Sequence, residues 1–284
     1  MGLKGKPLGY KLSALWFVIC ALMATVFRWL PLPAWDFNDA NALGVGIFSK
    51  GHILGTDYAG VDQLSAIING TRISLAVAIV SVFFALAIGG ALGILAAYAR
   101  GIVDAVITMY FNVTLSVPTL ILVLAMVAIF ASPDPFTPGY TIPRILVLII
   151  AITFVAIPIL GRLVRATAMS WAGREFILVA ESIGVKRRQI LWHHILPNVL
   201  PTMLSIGFLS AGIVIVVEGG LSILGAGATP GSSWGSLLAR NRSDIALTPH
   251  TTFIPVVVIT FTVMALNYFG DYARTKIDSR ESRI

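Results

Sequence analysis

The chain has 284 residues, of which 57% are hydrophobic and only 12% charged, and its mean hydropathy is +0.89; soluble domains carry about a quarter charged residues. So little polar surface cannot cover so much apolar surface in water, which excludes an ordinary soluble globule. The formal charge of +7 then needs an explanation from the placement of the charges, because a nucleic-acid partner fits poorly with such a composition.

The charges are segregated along the chain. None occurs between Lys11 and Arg28, Arg72 and Arg100, Asp104 and Asp134, Arg144 and Arg162, Arg188 and Glu218, or Asp244 and Asp271, which leaves gaps of 16, 27, 29, 17, 29 and 26 residues. A helix needs roughly 20 mainly apolar residues to cross the hydrocarbon. The gaps therefore predict spans near 12–30, 73–98, 105–131, 143–161, 198–221 and 252–269, and the fold class expected is all-α, a polytopic membrane protein of six transmembrane helices. Residues 1–72 would form an N-terminal tail, the first helix and an outer loop, and 73–284 a core of five helices. Lys4, Lys6 and Lys11 ahead of the first apolar run also fit a cleavable signal peptide. The run continues through Trp29 and Leu30 with no clear small-x-small site after it, so a membrane helix is the better reading. Cys20, the single cysteine, sits inside this span and supports neither a disulfide nor a cysteine-ligated metal.

The segment 31–72 opens on Pro31, Pro33, Trp35 and Phe37 and is too long for a turn, so it must fold against something. Val61, Leu64 and Ile68 fall at i, i+3 and i+7, opposite Asp62, Gln63, Ser65 and Asn69. That pattern predicts a short amphipathic helix at the membrane interface leading into the second span, with an ordinary buried loop helix as the alternative. The second span carries Ala85, Gly89, Gly93 and Ala97, a stripe of small residues that lets another helix approach closely. Pro118, Pro158 and Pro201 fall in or beside later spans, where they free backbone carbonyls and permit kinks.

The connection 162–197 reads as two short helices around a break. The first, 174–183, ends at Gly184 as a C′ residue, and the second, 186–195, stops before Pro197. Phe176, Val179 and Ile183 share one face of the first; Ile190, Leu191, His194 and Ile195 lie together on the second. A connection of this length with two amphipathic faces is more than two spans need, and it predicts a docked partner. Counting Lys and Arg on alternate sides of the spans puts fourteen of twenty with the N-terminus, Arg100, this connection and the C-terminal tail. By the positive-inside rule both termini and the connection should be cytoplasmic. The +7 charge thus reflects topology.

Tests for chemistry on the chain return little. No G-x-x-x-x-G-K-[ST] phosphate loop occurs, H-E-x-x-H is absent, and His52, His193, His194 and His250 are split between the two sides of the membrane. Gly231-Ser232-Ser233-Trp234-Gly235 does fit the G-x-S-x-G nucleophile elbow. It follows a membrane helix with no strand before it, and only His250 lies nearby as a base, so an outer turn or re-entrant segment is the better account. Glu218 is the one acidic residue inside a predicted span. A charge there points either to a solute path or gate, or to a structural group bonded to neighbouring backbone. Asp271 and Arg274, just past the sixth span, could pair at i, i+3 or end a solvated helix.

Several ordered motifs resemble one family, the C-type permease subunits of the dipeptide, oligopeptide and nickel group of ABC importers. They are His52-Ile53-Leu54-Gly55-Thr56-Asp57 with Gly60, Asp62 and Leu64, then Gly70-Thr71-Arg72-Ile73-Ser74-Leu75. In the connection they are Arg174-Glu175-Phe176, Ala180, Gly184 and His194-Ile195-Leu196-Pro197-Asn198. Further on come Glu218, Leu221-Ser222-Ile223-Leu224-Gly225, Ser233-Trp234-Gly235, Asn267, Gly270-Asp271, Arg274, Asp278 and Arg280. Departures exist: the Glu and first Ala of the family's E-A-A-x-x-x-G core are Leu178 and Val179 here, and an Asp common in the third span is Asn112.

The resemblance implies a type I importer permease fold in the cell inner membrane. It implies a coupling segment, carried by Glu175, Leu178, Val179, Ala180, Gly184, Lys186 and Arg187, that docks on an ATPase subunit. It leaves Glu218, Ser233, Trp234, Asn267 and Asp271 as gating or structural residues. The expected partners are a homologous second permease chain, one or two cytoplasmic ATPase subunits, an external solute-binding protein and the lipid bilayer. No cofactor is expected on this chain, ATP and Mg being held by the ATPases. Di- or oligopeptides are the expected cargo, with nickel, haem, glutathione or a sugar as alternatives. A passive channel and an intramembrane hydrolase acting through Ser233 are the rival readings.

Overall fold

In the computed structural model, residues 8–25, 32–99, 101–131, 142–228 and 232–281 are described. Lys4, Lys6, Arg28, Pro31, Arg100, Gly231 and Arg283, and the side chains of Arg187, Asp278 and Arg280, lie outside the described residues.

Among the described residues five helices are long and apolar enough to cross a membrane, and a bent pair brings the number to six if the pair is one span. The first is α1, Leu8–Thr25, in which only Ser13 and Cys20 are buried. Its Trp16 indole donates to Thr262 (2.9 Å) in α10, Pro249–Glu281, and a side chain at Gly9 would run into the ring of Tyr268. The second, α2, Gln63–Ala99, has 37 residues and begins ten residues before the charge-free run does. The turns carrying Leu64 and Ile68 are the start of this helix, so no separate interfacial helix forms. Asp62, Gln63 and Ser65, expected to face outward, are buried with Val61 and Ile68, because the outer segment packs over them.

That outer segment, 32–62, holds turns and three isolated bridges. Asp57 organises it: its Oδ1 accepts the N–H groups of Ala59 and Val61 at 2.9 and 2.8 Å, and its Oδ2 lies 3.1 Å from Nε of Arg240. His52 and Ser65 both bond the Asp62 carboxylate, the imidazole at 2.8 Å. Gly60, at φ +80°, sits where any side chain would overlap the carbonyl of Asp39.

The third predicted span, 105–131, is not one straight helix. α3, Gly101–Ser116, and α4, Thr119–Phe130, meet at 82°. Pro118 lacks the N–H that would carry the helix across, and it drives Val117 out of helical backbone. The fourth span is longer than its charge-free run. α5, Arg144–Ala172, continues through Arg162 and Arg165, which remain helical because each finds a partner. Arg165 forms a fork on Asp104, with both contacts at 2.6 Å, and Arg162 donates to Asn112 Oδ1 at 2.6 Å. The stripe on α2 meets this helix: side chains at Gly89 and Gly93 would overlap the carbonyls of Ile157 and Gly161.

Two short helices follow, α6, Glu175–Ser182, and α7, Arg187–Ile190, then a π turn over Leu191–Ile195 and α8, Leu196–Ile223. The second helix of the connection was expected to stop before Pro197 and does not: Arg188–Ile223 runs as one apolar element. The π turn makes this possible by closing Leu196 N–H onto the carbonyl of Leu191, and the Asn198 amide takes the carbonyl of His194 at 2.6 Å. Last come α9, Trp234–Asn241, and α10.

By compactness the chain forms two units: residues 1–79, 124–149 and 211–268, and residues 80–123, 150–210 and 269–284. The second unit holds a core of Ile94, Ala97, Val164, Ala168, Trp171, Ile177, Ala180, Ile190, Ile195 and Val199.

Candidate functional site

Two constellations bear on function, one in each unit. In the second, α6 ends as the sequence predicts. Gly184 has φ +81°, its N–H reaches Glu181 O (3.0 Å), and the N–H of Val185 reaches Ala180 O (3.1 Å). This is a Schellman ending, which requires a left-handed residue at C′ and so favours glycine. The ending turns the chain sharply enough that α6 folds back on the core through Ile177 and Ala180, both buried. The opposite face carries Phe176, Leu178, Val179 and Ile183, which are 43, 53, 60 and 74% exposed. The face is held firmly: the Tyr98 hydroxyl donates to Glu181 at 3.3 Å, the Arg174 guanidinium lies 3.9 Å over the Trp171 ring, and Phe176 stacks obliquely with His194 at 6.2 Å. Glu175 is exposed in the first turn of α6, where its charge suits the helix dipole, and Lys186 is exposed beyond Gly184. The segment thus offers a rigid apolar face edged by charges.

In the first unit, Glu218 is 1% exposed. Its Oε1 accepts hydroxyl hydrogens from Ser222 at 2.8 Å and Ser233 at 2.7 Å. Ser233 is the N-cap of α9 in a capping box: its Oγ accepts the N–H of Ser236, and Ser236 Oγ accepts the N–H of Ser233. Trp234 is fully buried. Its backbone N–H donates to Ser74 Oγ (3.0 Å) and its indole to Ile67 O (3.1 Å), both in α2. Gly235 closes the set, since a Cβ there would lie 2.5 Å from Gly219 Cα and 2.8 Å from Glu218 Oε2.

The cluster therefore works as a clamp joining α2, α8 and α9. Ser233 is wholly buried in extended backbone, with its hydroxyl committed to a carboxylate and a helix cap. An exposed nucleophile on a strand-to-helix turn is a different geometry. Ser222, one turn from Glu218 on the same helix, stands in the Leu221–Gly225 motif, and its i, i+4 spacing is the signal that ties it to Glu218. Asp57 stands in the His52–Asp57 motif, but nothing in the sequence ties it to Arg240, the two being far apart in the chain. Asn267 and Asp271 are exposed on α10, and among the described residues Asp271 and Arg274 form no ion pair.

Known proteins resemble the chain in sequence and in fold. Residues 89–283 match the family model described as "Binding-protein-dependent transport system inner membrane component". The glutathione transport system permease protein GsiD of Pectobacterium atrosepticum is 34% identical over 252 residues, covering 88% of this chain and 80% of its own. The dipeptide transport system permease protein DppC of Alkalihalophilus pseudofirmus is 35% identical over 233 residues, 82% of this chain and 73% of its own. Among solved structures, a chain of the MetNI methionine ABC transporter in an inward-facing conformation superposes with a TM-score of 0.61 at 20% identity, over 74% of this chain and 95% of that one. That likeness is one of fold.

Proposed function

The chain belongs to the family of binding-protein-dependent transport system inner membrane components, and from that premise we propose that it lines half of the path of an ATP-driven peptide importer. It is a multi-pass permease of the inner membrane. A homologous permease chain supplies the other half of the path, an external binding protein delivers the solute, and one or two ATPase subunits move the pair between outward- and inward-open states. Both termini and the α6–α7 segment face the cytoplasm. ATP and Mg belong to the ATPases. The cargo is a di- or oligopeptide. Glutathione, itself a modified tripeptide, is the second reading, favoured by the relative named for its transport.

The observation that carries this reading is the bare face of α6. Phe176, Val179 and Ile183 are exposed on a short helix locked by its Schellman turn, and such a face is matched by an apolar groove on a partner. Of the residues expected to couple, Leu178 and Val179 lie on the face, Glu175, Gly184 and Lys186 border it, and Ala180 is buried beneath it; Arg187 begins α7. The departures at Leu178 and Val179 make the contact more apolar. Single cysteines at 178, 179 and 183 in a Cys20→Ser background, crosslinked in membranes holding the assembled importer, should join this chain to the ATPase. Adducts with lipid or the second permease chain alone would end the docking claim. Uptake of a labelled dipeptide that requires both ATP and the binding protein separates this reading from a passive channel.

A further inference from the structure

Three helices of the second unit meet at Arg165 of α5. A Cβ on Gly93 of α2 would lie 2.9 Å from its backbone N, so the two backbones touch there with no side chain between them. Val164, its neighbour, and Ala168, one turn on, belong to the core that holds Ile177 and Ala180 of α6. The guanidinium reaches the third helix. It closes on Asp104, in the first turn of α3, as a fork: Nε donates to Oδ1 and Nη2 to Oδ2, both at 2.6 Å. Each side chain of the pair is 26% exposed, and the Thr108 hydroxyl donates to the same Oδ1 at 3.2 Å.

The other contacts between α3 and α5 are of a different kind. The Phe111 ring fills the space at Gly161, where a Cβ would overlap its tip, and Asn112 accepts from Arg162 through a neutral amide. Both hold the later half of α3. The fork alone, among the described residues, joins the two helices by opposite charges, and it holds the start of α3. Two parallel bonds fix an angle as well as a distance, so they resist a swivel that a single bond permits.

We propose that the Asp104–Arg165 fork is the strut through which a displacement of α6 reaches α3, which makes both of them positioning residues for coupling ATP hydrolysis to movement of the path. The proposal rests on the docking of α6 on an ATPase stated above. A push on the exposed face of α6 is borne by Ile177 and Ala180 onto Val164 and Ala168, and a close-packed core transmits such a strain. Arg165 moves with Val164 and takes the start of α3 with it. Because α3 leads into the 82° bend before α4, whatever turns α3 also swings the first turn of α4.

The test uses the complete importer in lipid, its other chains free of cysteine and this chain carrying Cys20→Ser. Single spin labels are placed at Met109→Cys on α3 or Ile183→Cys on α6, positions that are 66 and 74% exposed, and spectra are compared with and without ATP and vanadate. In the parent both labels should respond. In Arg165→Lys, which keeps the charge and loses the fork, and in Asp104→Asn, the Ile183 label should respond as before while the Met109 response is lost. Exchange of the pair, Asp104→Arg with Arg165→Asp, should restore part of it. The dialanine carried per ATP hydrolysed should fall about 2- to 30-fold in the single variants, and an unchanged ratio overturns the strut. A Met109 response that survives both single variants overturns the strut and leaves the docking standing. Loss of both responses in the variants means that the pair only holds the fold, and also overturns it. Should neither single variant assemble, the exchanged pair decides: a silent Met109 label in an assembled importer overturns the strut. An Ile183 label that is silent in the parent overturns the docking reading and the strut with it. A parent that carries no dialanine overturns only the cargo reading, since the label responses do not depend on the solute.

Discussion

Glu218 and Gly235 show how little room a buried charge leaves to its neighbours. The carboxylate occupies a pocket in which Gly219 Cα and its own Oε2 stand within 2.8 Å of where a Cβ on residue 235 would sit. Gly235→Ala should therefore destabilise the chain by about 1–3 kcal/mol, the usual cost of overpacking. Gly220→Ala, with nothing within 4 Å, should be neutral or mildly stabilising through its better helix propensity. Thermal unfolding of the detergent-solubilised chain measures both. Glu218→Gln keeps an oxygen for the Ser222 and Ser233 hydroxyls and should stay within about 1 kcal/mol of the parent. Glu218→Ala strands both hydroxyls in a buried site and should cost about 1–3 kcal/mol or more. If Glu218→Gln instead abolished uptake in a chain of unchanged stability, the clamp reading would give way to a gate.

At the level of elements, Gly184 is the position to probe, since its φ of +81° is met by open space. Any effect of substitution comes from backbone strain and not from a clash. Gly184→Val should cost about 1–2 kcal/mol, loosen the turn and lower uptake without lowering the amount of chain in the membrane. Gly184→Asn, which tolerates the left-handed region, should keep most of the uptake. This turn was legible because helix ends have a strong local signature. Helix ends inside the bilayer have none: the charge-free runs coincide with the five long apolar helices and the bent pair, and Pro118 marks a kink, yet the runs place the ends of α2 and α5 short. The reason is physical. A run of apolar residues reports where water is excluded, whereas α5 continues beyond its run because Arg162 and Arg165 find partners. The π turn before Pro197 was invisible for a related reason, since it is the local answer to a missing N–H that a simple stop would also have satisfied. Asp57 with Arg240, and Asp104 with Arg165, are long-range pairs that no spacing reveals.

For the whole molecule, the balance of Lys and Arg predicts which way the bundle faces. In a Cys20→Ser background, a cysteine at Ser182 should react with an impermeant maleimide only after the membrane is opened, and one at Tyr58, exposed in the outer segment, should react in intact cells. The reverse pattern would invert the topology. One feature also bears on the life of the chain before any transport begins. The greasy face of α6 is fixed in place by its own turn and core contacts, so it cannot be withdrawn while a partner is awaited. On the proposed docking, a chain synthesised in excess of the ATPase would display to the cytosol the kind of patch that chaperones and proteases survey. Its half-life in a pulse–chase experiment should lengthen severalfold when the ATPase is co-expressed, and Val179→Ser with Ile183→Ser should lengthen the life of the orphan while weakening assembly. Supply of this subunit would then be matched to its partners by destruction of the surplus, with no dedicated regulator.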